Sequence, residues 1–191
     1  MMRSIPGLVT FRPGDANENV EAWKWIGNAK HQPSVLVLSR QDLPTMDRTV
    51  YSAASGTQKG GYILRCAAPD GKPDCILIAS GSEVQLIVSA YDILVAQGIK
   101  PRIVSMPSMN LFEAQTQEYK DSVLPPKIRA RVGVEFAGDF GWYKYLGLDG
   151  EFVGMKSFGE SAPLKMLLEK FNFTGERVAE VAVKCITACK D

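Results

Sequence analysis

Arg40 is the residue whose type and position point most clearly to binding chemistry. It lies just after the apolar run VLVL at residues 35–38, at the carboxyl end of a predicted strand. Ligands of parallel α/β sheets bind at that edge, and a guanidinium presents a planar fork of N–H donors that suits phosphate oxygens. A structural ion pair with Asp15, Asp42 or Asp47 would use the same charge. The position therefore makes Arg40 a candidate phosphate ligand and leaves the structural pair open.

The other reactive residue types form no recognisable catalytic arrangement. His31 is the single histidine and follows a predicted helix, where it is expected to interact with the last carbonyls. Gly81 and Ser82 open a helix after a strand and could receive a phosphate, but most strand-to-helix turns share that geometry. Cys185 and Cys189 would share a helix face and are interpreted as small apolar residues, because no further ligand lies nearby. We predict no catalytic, cofactor-binding or metal-binding residue in this chain.

Composition excludes several classes of protein. The 191 residues include 22 basic and 21 acidic side chains, and a net charge of +1 gives no general attraction to nucleic acid or an anionic membrane. The most apolar stretch, at residues 86–96, is far shorter than the roughly 20 residues that a membrane span requires. Four cysteines without C-x-x-C spacing, and a start without an apolar signal core, indicate a reduced and cytoplasmic protein.

Strands and helices are predicted to alternate along the chain. This order favours an α/β fold with a mostly parallel sheet flanked by helices, preceded by a strand-helix-strand unit. Predicted strands cover residues 8–11, 35–38, 62–64, 75–79, 102–106, 131–135 and 152–155. Predicted helices follow Asp15, span 82–97 and about 112–122, lie near Trp142, and form a C-terminal pair of which the last begins near Thr174.

Local signals specify two of these helices. Asp15 is the expected N-cap of the first helix, with Glu18 completing a capping box and Val20, Trp23 and Ile26 forming its apolar face. The second helix has a similar expected box at SGSE, residues 80–83, and a glycine stop at position 98. The uninterrupted run at 35–38 is expected to be covered on both faces. A polar stretch of about twenty residues, from 39 to about 61, is interpreted as a linker.

Short motifs in a fixed order along the chain resemble those of one enzyme family. They are SIPG (4–7), RPGDANE (12–18), VLSRQDLP (37–44), KGGY (59–62), ASGSEV (79–84), VSMPS (104–108), YKDSVLP (119–125), GWYKY (141–145) and FGESAP (158–163). The first three resemble the transketolase stretches IPG…RPADANE and LSRQNLP. Gly14, Asp42 and Asp139 depart conservatively from the family pattern.

The resemblance implies a division of the chain. Transketolases have three α/β domains, and residues 1–47 resemble the end of the pyrimidine-binding domain. Residues 48–60 would form the linker, and residues 61–191 the C-terminal domain. The resemblance also implies that the complete enzyme transfers a two-carbon ketol unit between sugar phosphates, as a homodimer, using thiamine diphosphate and Mg²⁺ or Ca²⁺. The G-D-G motif that holds this cofactor in the family does not occur here, so the chain alone is expected to bind none and to be inactive.

Arg40 receives a specific role from the same resemblance. In transketolases the arginine of L-S-R-Q helps to hold the phosphate of the sugar substrate, and Arg40 occupies that place. The expected partners are therefore sugar phosphates and the missing N-terminal domains. A non-catalytic assembly or dimerisation module is the main alternative. A relative such as deoxyxylulose-phosphate synthase or an oxo-acid dehydrogenase beta chain is a further one, which the LSRQDLP stretch disfavours.

Overall fold

The structure is a computed structural model that describes residues 2–190. It contains two sheets. The strands are β1 (Val9–Phe11), β2 (Ser34–Leu36), β3 (Tyr62–Cys66), β4 (Cys75–Ala79), β5 (Pro101–Ser105), β6 (Arg131–Glu135) and β7 (Glu151–Gly154). The helices are α1 (Ala16–Asn28), α2 (Val84–Ala96), α3 (Met109–Glu113), α4 (Gln117–Val123), α5 (Tyr143–Leu146), α6 (Leu164–Lys170) and α7 (Gly175–Ala188). No helix within residues 2–190 is both long and apolar enough to cross a membrane.

The small sheet is the strand-helix-strand unit expected from the first forty residues. β1 and β2 pair in parallel, with Val9 opposite Ser34 and Phe11 opposite Leu36, and α1 connects them. The far edge of β1 is covered, since the backbone N–H of Thr10 donates to Asn110 and that of Arg12 donates to Pro107. Within residues 2–190, β2 pairs with no strand besides β1.

The expected burial of the apolar run at 35–38 is wrong for this chain. Val35 and Leu36 are half-buried, whereas Val37 and Leu38 are exposed beyond the end of β2. The reason is that β2 is an edge strand of a two-stranded sheet, so one layer that its side chains would contact is absent from the described residues.

The first helix begins as predicted but buries a different face. Asp15 is its N-cap and accepts the backbone N–H of Glu18 at 2.8 Å. The Glu18 carboxylate accepts from Gly14 rather than from Asp15, so the expected box closes one residue earlier. Val20 and Trp23 are 52% and 58% exposed, whereas Ile26 is half-buried. The inward face of α1 carries Ala22, which packs against β1, and Glu18, which reaches the large sheet.

The large sheet has the order β3-β5-β4-β6-β7 and is parallel except for β3. The predicted mostly parallel sheet is therefore confirmed. Helices α2 and α7 pack on one face, over Leu77, Val132 and Val134. The other face buries Ile76 and Ile78 against side chains of α3 and α5. Two layers of helices thus cover the faces of the sheet. Its carboxyl edge is not covered by these helices and faces the small sheet.

Helix boundaries differ from expectation at two places. The stretch expected as one helix at about 112–122 is two helices, α3 and α4, because Thr116 adopts extended backbone and caps α4. The box expected at residues 80–83 does not form: this segment is a 3₁₀ turn without a side-chain cap bond, and Glu83 is instead paired with Arg12. The glycine stop at Gly98 is confirmed by a φ of +79°. Thr174 caps α7, as expected.

Gly60 lies where the polar connection meets the large sheet. Its φ is +86°, and an added Cβ would lie 2.2 Å from the Phe112 nitrogen and 2.3 Å from the Ser108 oxygen. Both neighbours are backbone atoms of the α3 region, which cannot move independently. The close approach at Gly60 therefore fixes the connection against α3.

Gly60→Ala is expected to lower the free energy of unfolding by roughly 2–4 kcal/mol, the sum of left-handed backbone strain and overpacking. Gly71→Ala is the matched control, because its φ is +71° and no atom lies within 4 Å of the added Cβ. That control isolates the backbone cost of about 1–2 kcal/mol. Urea denaturation measures both, and equal losses would contradict the packing argument.

Candidate functional site

Arg40 lies exposed in the segment between β2 and the large sheet. Across residues 2–190, none of the hydrogen bonds or ion pairs involves its guanidinium. The carboxylates that could have held it are engaged elsewhere or stay apart: Asp15 pairs with Arg48 at 2.7 Å, and Asp47 accepts from Thr49. The structural ion pair considered for Arg40 is thus not formed. Its charge is available to a ligand, and its phosphate role stays a prediction.

The two sheets face each other across their carboxyl edges. Arg12 follows β1, and the segment that carries Arg40 follows β2, so both arginines belong to the same edge of the small sheet. Opposite Arg12 are Ser80, directly after β4, and Glu135, the last residue of β6. Carboxyl edges of parallel strands are where α/β proteins place their ligands.

Arg12 joins the two edges through buried acceptors. It donates to Glu83 at 2.8 Å, to the Ser80 hydroxyl at 3.1 Å and, through a very short contact, to Glu135. The Glu83 side chain is fully buried, and burial raises the pKa of Glu83 while Arg12 opposes that rise. Arg12 is therefore committed to structure, unlike Arg40.

Glu135 is the centre of this cluster. It accepts from Arg12, from Arg3 at 2.8 Å and from the indole N–H of Trp142 at 2.6 Å. Burial opposes ionisation, but the charges and hydrogen bonds of the arginines prevail and hold the pKa of Glu135 below its usual range. An ionised carboxylate at the end of β6 thus fastens the N-terminal segment and β1 to the large sheet.

A second polar cluster surrounds Glu18, which is completely buried. One of its carboxylate oxygens accepts from Tyr62 at 2.7 Å and from Ser105 at 2.6 Å, and the other accepts from Gly14 at 2.7 Å. Burial is the largest influence and raises the pKa of Glu18, with the nearby Asp15 charge adding to the rise. Glu18 therefore connects α1 to β3 and β5, a role beyond the helix cap expected for it.

A cavity of about 850 Å³ lies beside the first cluster, between the N-terminal segment, α3 and the loop after β6. Arg3, Arg12 and Glu135 contribute its polar lining, and Met109 and Val37 belong to its apolar part. Val37 places this cavity close along the chain to Arg40. The cavity beside the two sheets is therefore lined in part by charged side chains.

Few signals in the sequence point to the buried clusters. Arg12 and Glu135 are far apart in the chain, and only their positions at strand ends, the signal already used for Arg40, could have identified them. The turn at Gly81 offers no free phosphate site, since its N–H donates to the Arg12 carbonyl and the Arg12 guanidinium lies against it. His31 is exposed beyond the end of α1.

Within residues 2–190, the cysteines and other metal-binding residue types form no metal or redox site. The four cysteines are free, and burial raises the pKa of Cys185 to about 11, which keeps its thiol protonated. Its Sγ donates to backbone carbonyls of Arg131 and Asp149. No group of three histidine, cysteine, aspartate or glutamate side chains within residues 2–190 is placed to hold a metal ion.

A mostly parallel sheet with one antiparallel edge strand, preceded by a parallel β-α-β unit that docks on its carboxyl edge, defines a mixed α/β protein. The family model described as Transketolase-like TK C-terminal domain matches residues 60–174. This chain belongs to the transketolase family.

Individual relatives agree with that assignment. A transketolase of Aquifex aeolicus is 45% identical over 96% of this chain, and Transketolase 1 of Escherichia coli is 46% identical over 95%. The transketolase structure from Leishmania mexicana superposes with a TM-score of 0.90 at 36% identity over 100% of the chain. A Pichia stipitis transketolase in complex with sedoheptulose-7-phosphate gives 0.88 at 39% identity over 98%. The chain spans only 26–27% of the length of these relatives.

Glu135→Gln is expected to lower the free energy of unfolding by roughly 3 kcal/mol. This is the lower end of the range for removing one partner of a buried pair, because Arg12 keeps its contact with Glu83. Asp149→Asn, in the exposed pair with Arg129, is the matched control and should have a far smaller effect. Chemical denaturation compares the two variants, and similar losses of unfolding free energy would show that Glu135 does not act as a buried ion-pair partner.

Proposed function

We propose that this chain supplies the C-terminal quarter of a transketolase, an enzyme that moves a two-carbon ketol unit between sugar phosphates, and that Arg40 binds the substrate phosphate there. The observation that carries this proposal is the exposed Arg40 guanidinium, which has no ion-pair partner among residues 2–190 and lies in the L-S-R-Q motif at the carboxyl edge of the small sheet.

The sugars bound in related structures support a phosphate ligand. Transketolases of Pichia stipitis are described in complex with sedoheptulose-7-phosphate, xylulose-5-phosphate and fructose-6-phosphate. These sugars differ in chain length and share a terminal phosphate. A guanidinium that binds this common phosphate would hold sugars of different length by the same end. The binding energy of such a remote group can orient the reacting carbon.

The proposed division of the chain follows the two sheets. Residues 1–47, with β1, α1 and β2, would complete a pyrimidine-binding domain whose other strands lie outside this chain. Residues 48–60 would form the linker, and residues 61–191, which contain all five strands of the large sheet, would form the C-terminal domain.

Thiamine diphosphate and its Mg²⁺ or Ca²⁺ would be held by polypeptide outside this chain. The chain has no G-D-G motif, and the described residues bring no set of metal ligands together, so they do not fit the cofactor by themselves. The contribution of the present residues is to bind and orient the phosphorylated substrate. We also propose a homodimeric, cytoplasmic complete enzyme.

An assembly role is the second candidate function, and a specific observation favours it. Val20, Trp23 and Leu38 expose large apolar surfaces on the small sheet and its helix. Apolar side chains in such positions are typical of surfaces that pack against other polypeptide. An assembly role is compatible with phosphate binding by Arg40. It would be the only function of the chain if Arg40 did not take part in substrate binding.

The chain alone is expected to be catalytically inactive, because it does not provide a cofactor site. The measurement is a ketol-transfer assay with xylulose 5-phosphate and ribose 5-phosphate at saturating thiamine diphosphate and Mg²⁺. Clear turnover by the purified chain would refute the proposal that the cofactor site lies in other polypeptide.

In the complete enzyme, Arg40→Ala is expected to reduce kcat/KM for phosphorylated donors by the equivalent of roughly 1.5–3 kcal/mol, the scale of a hydrogen bond to a charged group. Arg129→Ala removes a surface arginine from the C-terminal domain and serves as the control, with unchanged kcat/KM expected. Steady-state kinetics with fructose 6-phosphate test both variants. An Arg40→Ala enzyme that matches the unmodified one would remove Arg40 from the site.

A further inference from the structure

We propose that Asp15 is a positioning residue for Arg40: from the N-cap of α1, its buried carboxylate anchors the chain segment that carries the phosphate-binding guanidinium. This inference rests on the proposed function of Arg40. It assigns to Asp15 a role that its position as a helix cap does not require.

The two carboxylate oxygens of Asp15 perform different tasks. Oδ1 accepts the backbone N–H of Glu18 at 2.8 Å, which is the capping bond of α1. Oδ2 accepts the backbone N–H of Met46 at 3.0 Å and the Arg48 guanidinium at 2.7 Å. The first oxygen stabilises the helix, and the second holds a segment of chain that lies beyond Arg40.

The segment at residues 37–46 is held at both ends. At its start, the backbone N–H of Val37 donates to the Phe11 carbonyl at 2.9 Å, extending the pairing of β1 and β2. At its end, the backbone N–H of Met46 donates to Asp15, and the side chain of Met46 is buried in the core that the large sheet forms with α2 and α7. The residues between these points form no helix or strand, and Arg40 is exposed among them. Its position therefore depends on the two end anchors.

Additional contacts around the far anchor are weaker than the Asp15 bonds. The Asn17 side-chain amide donates to the Met46 carbonyl at 3.3 Å, and the Gln85 amide donates to the Pro44 carbonyl at 3.4 Å. Within the segment, the Ser39 hydroxyl bonds the Gln41 carbonyl at 2.7 Å, a local contact that does not connect it to the sheets. Asp15 is thus the charged, buried element of this anchor.

Arg48 extends the anchor to the large sheet. Besides Asp15, it donates to the Tyr62 hydroxyl at 3.1 Å and to the Ser52 carbonyl at 2.9 Å. Because Tyr62 belongs to β3, the far end of the segment is fixed to the large sheet, while its start is fixed to the small sheet. Arg40 is held between the two.

Asp15→Asn separates the two tasks. The remaining carbonyl oxygen can still cap α1, since asparagine is a good N-cap, but an amide NH₂ would face the donors of Met46 and Arg48. Asp47→Asn is the matched control, because it removes the same charge one residue after Met46 and retains an acceptor for Thr49. Asn17→Ala loosens the Met46 carbonyl alone and provides a milder variant if Asp15→Asn folds poorly.

In the complete enzyme, Asp15→Asn is expected to lower kcat/KM for fructose 6-phosphate about tenfold, mostly through KM, since small misplacement of a positioning group has large kinetic effects. Its effect on unphosphorylated fructose should be negligible, and Asp47→Asn should leave both substrates unchanged. The double variant with Arg40→Ala should lose no more than Arg40→Ala alone, because Asp15 acts through Arg40. In the chain itself, hydrogen exchange across residues 37–46 should accelerate in Asp15→Asn and, less so, in Asn17→Ala.

Each outcome decides between the two proposals. If Arg40→Ala impairs fructose 6-phosphate but Asp15→Asn does not, the positioning role is overturned and the phosphate role of Arg40 stands. Equal losses with fructose and fructose 6-phosphate would also overturn it, because they indicate a general structural defect. If Arg40→Ala has no effect, the proposed function fails and the positioning role fails with it.

Discussion

The whole arrangement depends on a buried carboxylate that binds two arginines from another part of the chain. Glu135 ends a central strand of the large sheet, and Arg3 and Arg12 flank the first strand of the small sheet. Together with the Glu18 cluster, which connects α1 to β3 and β5, these contacts set the angle between the two sheets. Contacts of this kind contribute more to orientation than to net stability, because each charge loses its hydration on burial. A purely hydrophobic interface would specify that orientation less strictly, because the hydrophobic effect is non-directional.

The arginines at this edge illustrate how one residue type serves two purposes. Arg12 has three acceptors around it and lies largely out of solvent, whereas Arg40 is exposed and has no acceptor among residues 2–190. A guanidinium surrounded by carboxylates is already neutralised and has little attraction left for an anion. One that stands apart from them keeps its full charge. The separation of Asp15 and Asp47 from Arg40 is therefore as important as the presence of Arg40 itself.

The sequence predicted the local elements well and their contacts poorly. The strand at 75–79 and the helix cap at Asp15 depend on neighbouring residues, and both were correctly expected. The burial of 35–38 was wrong because burial depends on what lies against a strand, which a local pattern does not contain. Glu18 shows the same limit: its spacing from Asp15 suggested a capping box, but its partners Tyr62 and Ser105 come from distant strands. For Arg40, position at a strand end was sufficient to nominate it.

The outer edge of β2 has a consequence for the chain in isolation. Its backbone N–H and C=O groups have no strand opposite them within residues 2–190, and the neighbouring Val37 and Leu38 are exposed. An uncovered strand edge beside apolar side chains is a template for self-association, which natural proteins normally block. Copies of the chain produced alone are therefore expected to pair edge to edge through β2, and a polypeptide that covers this edge would prevent that pairing.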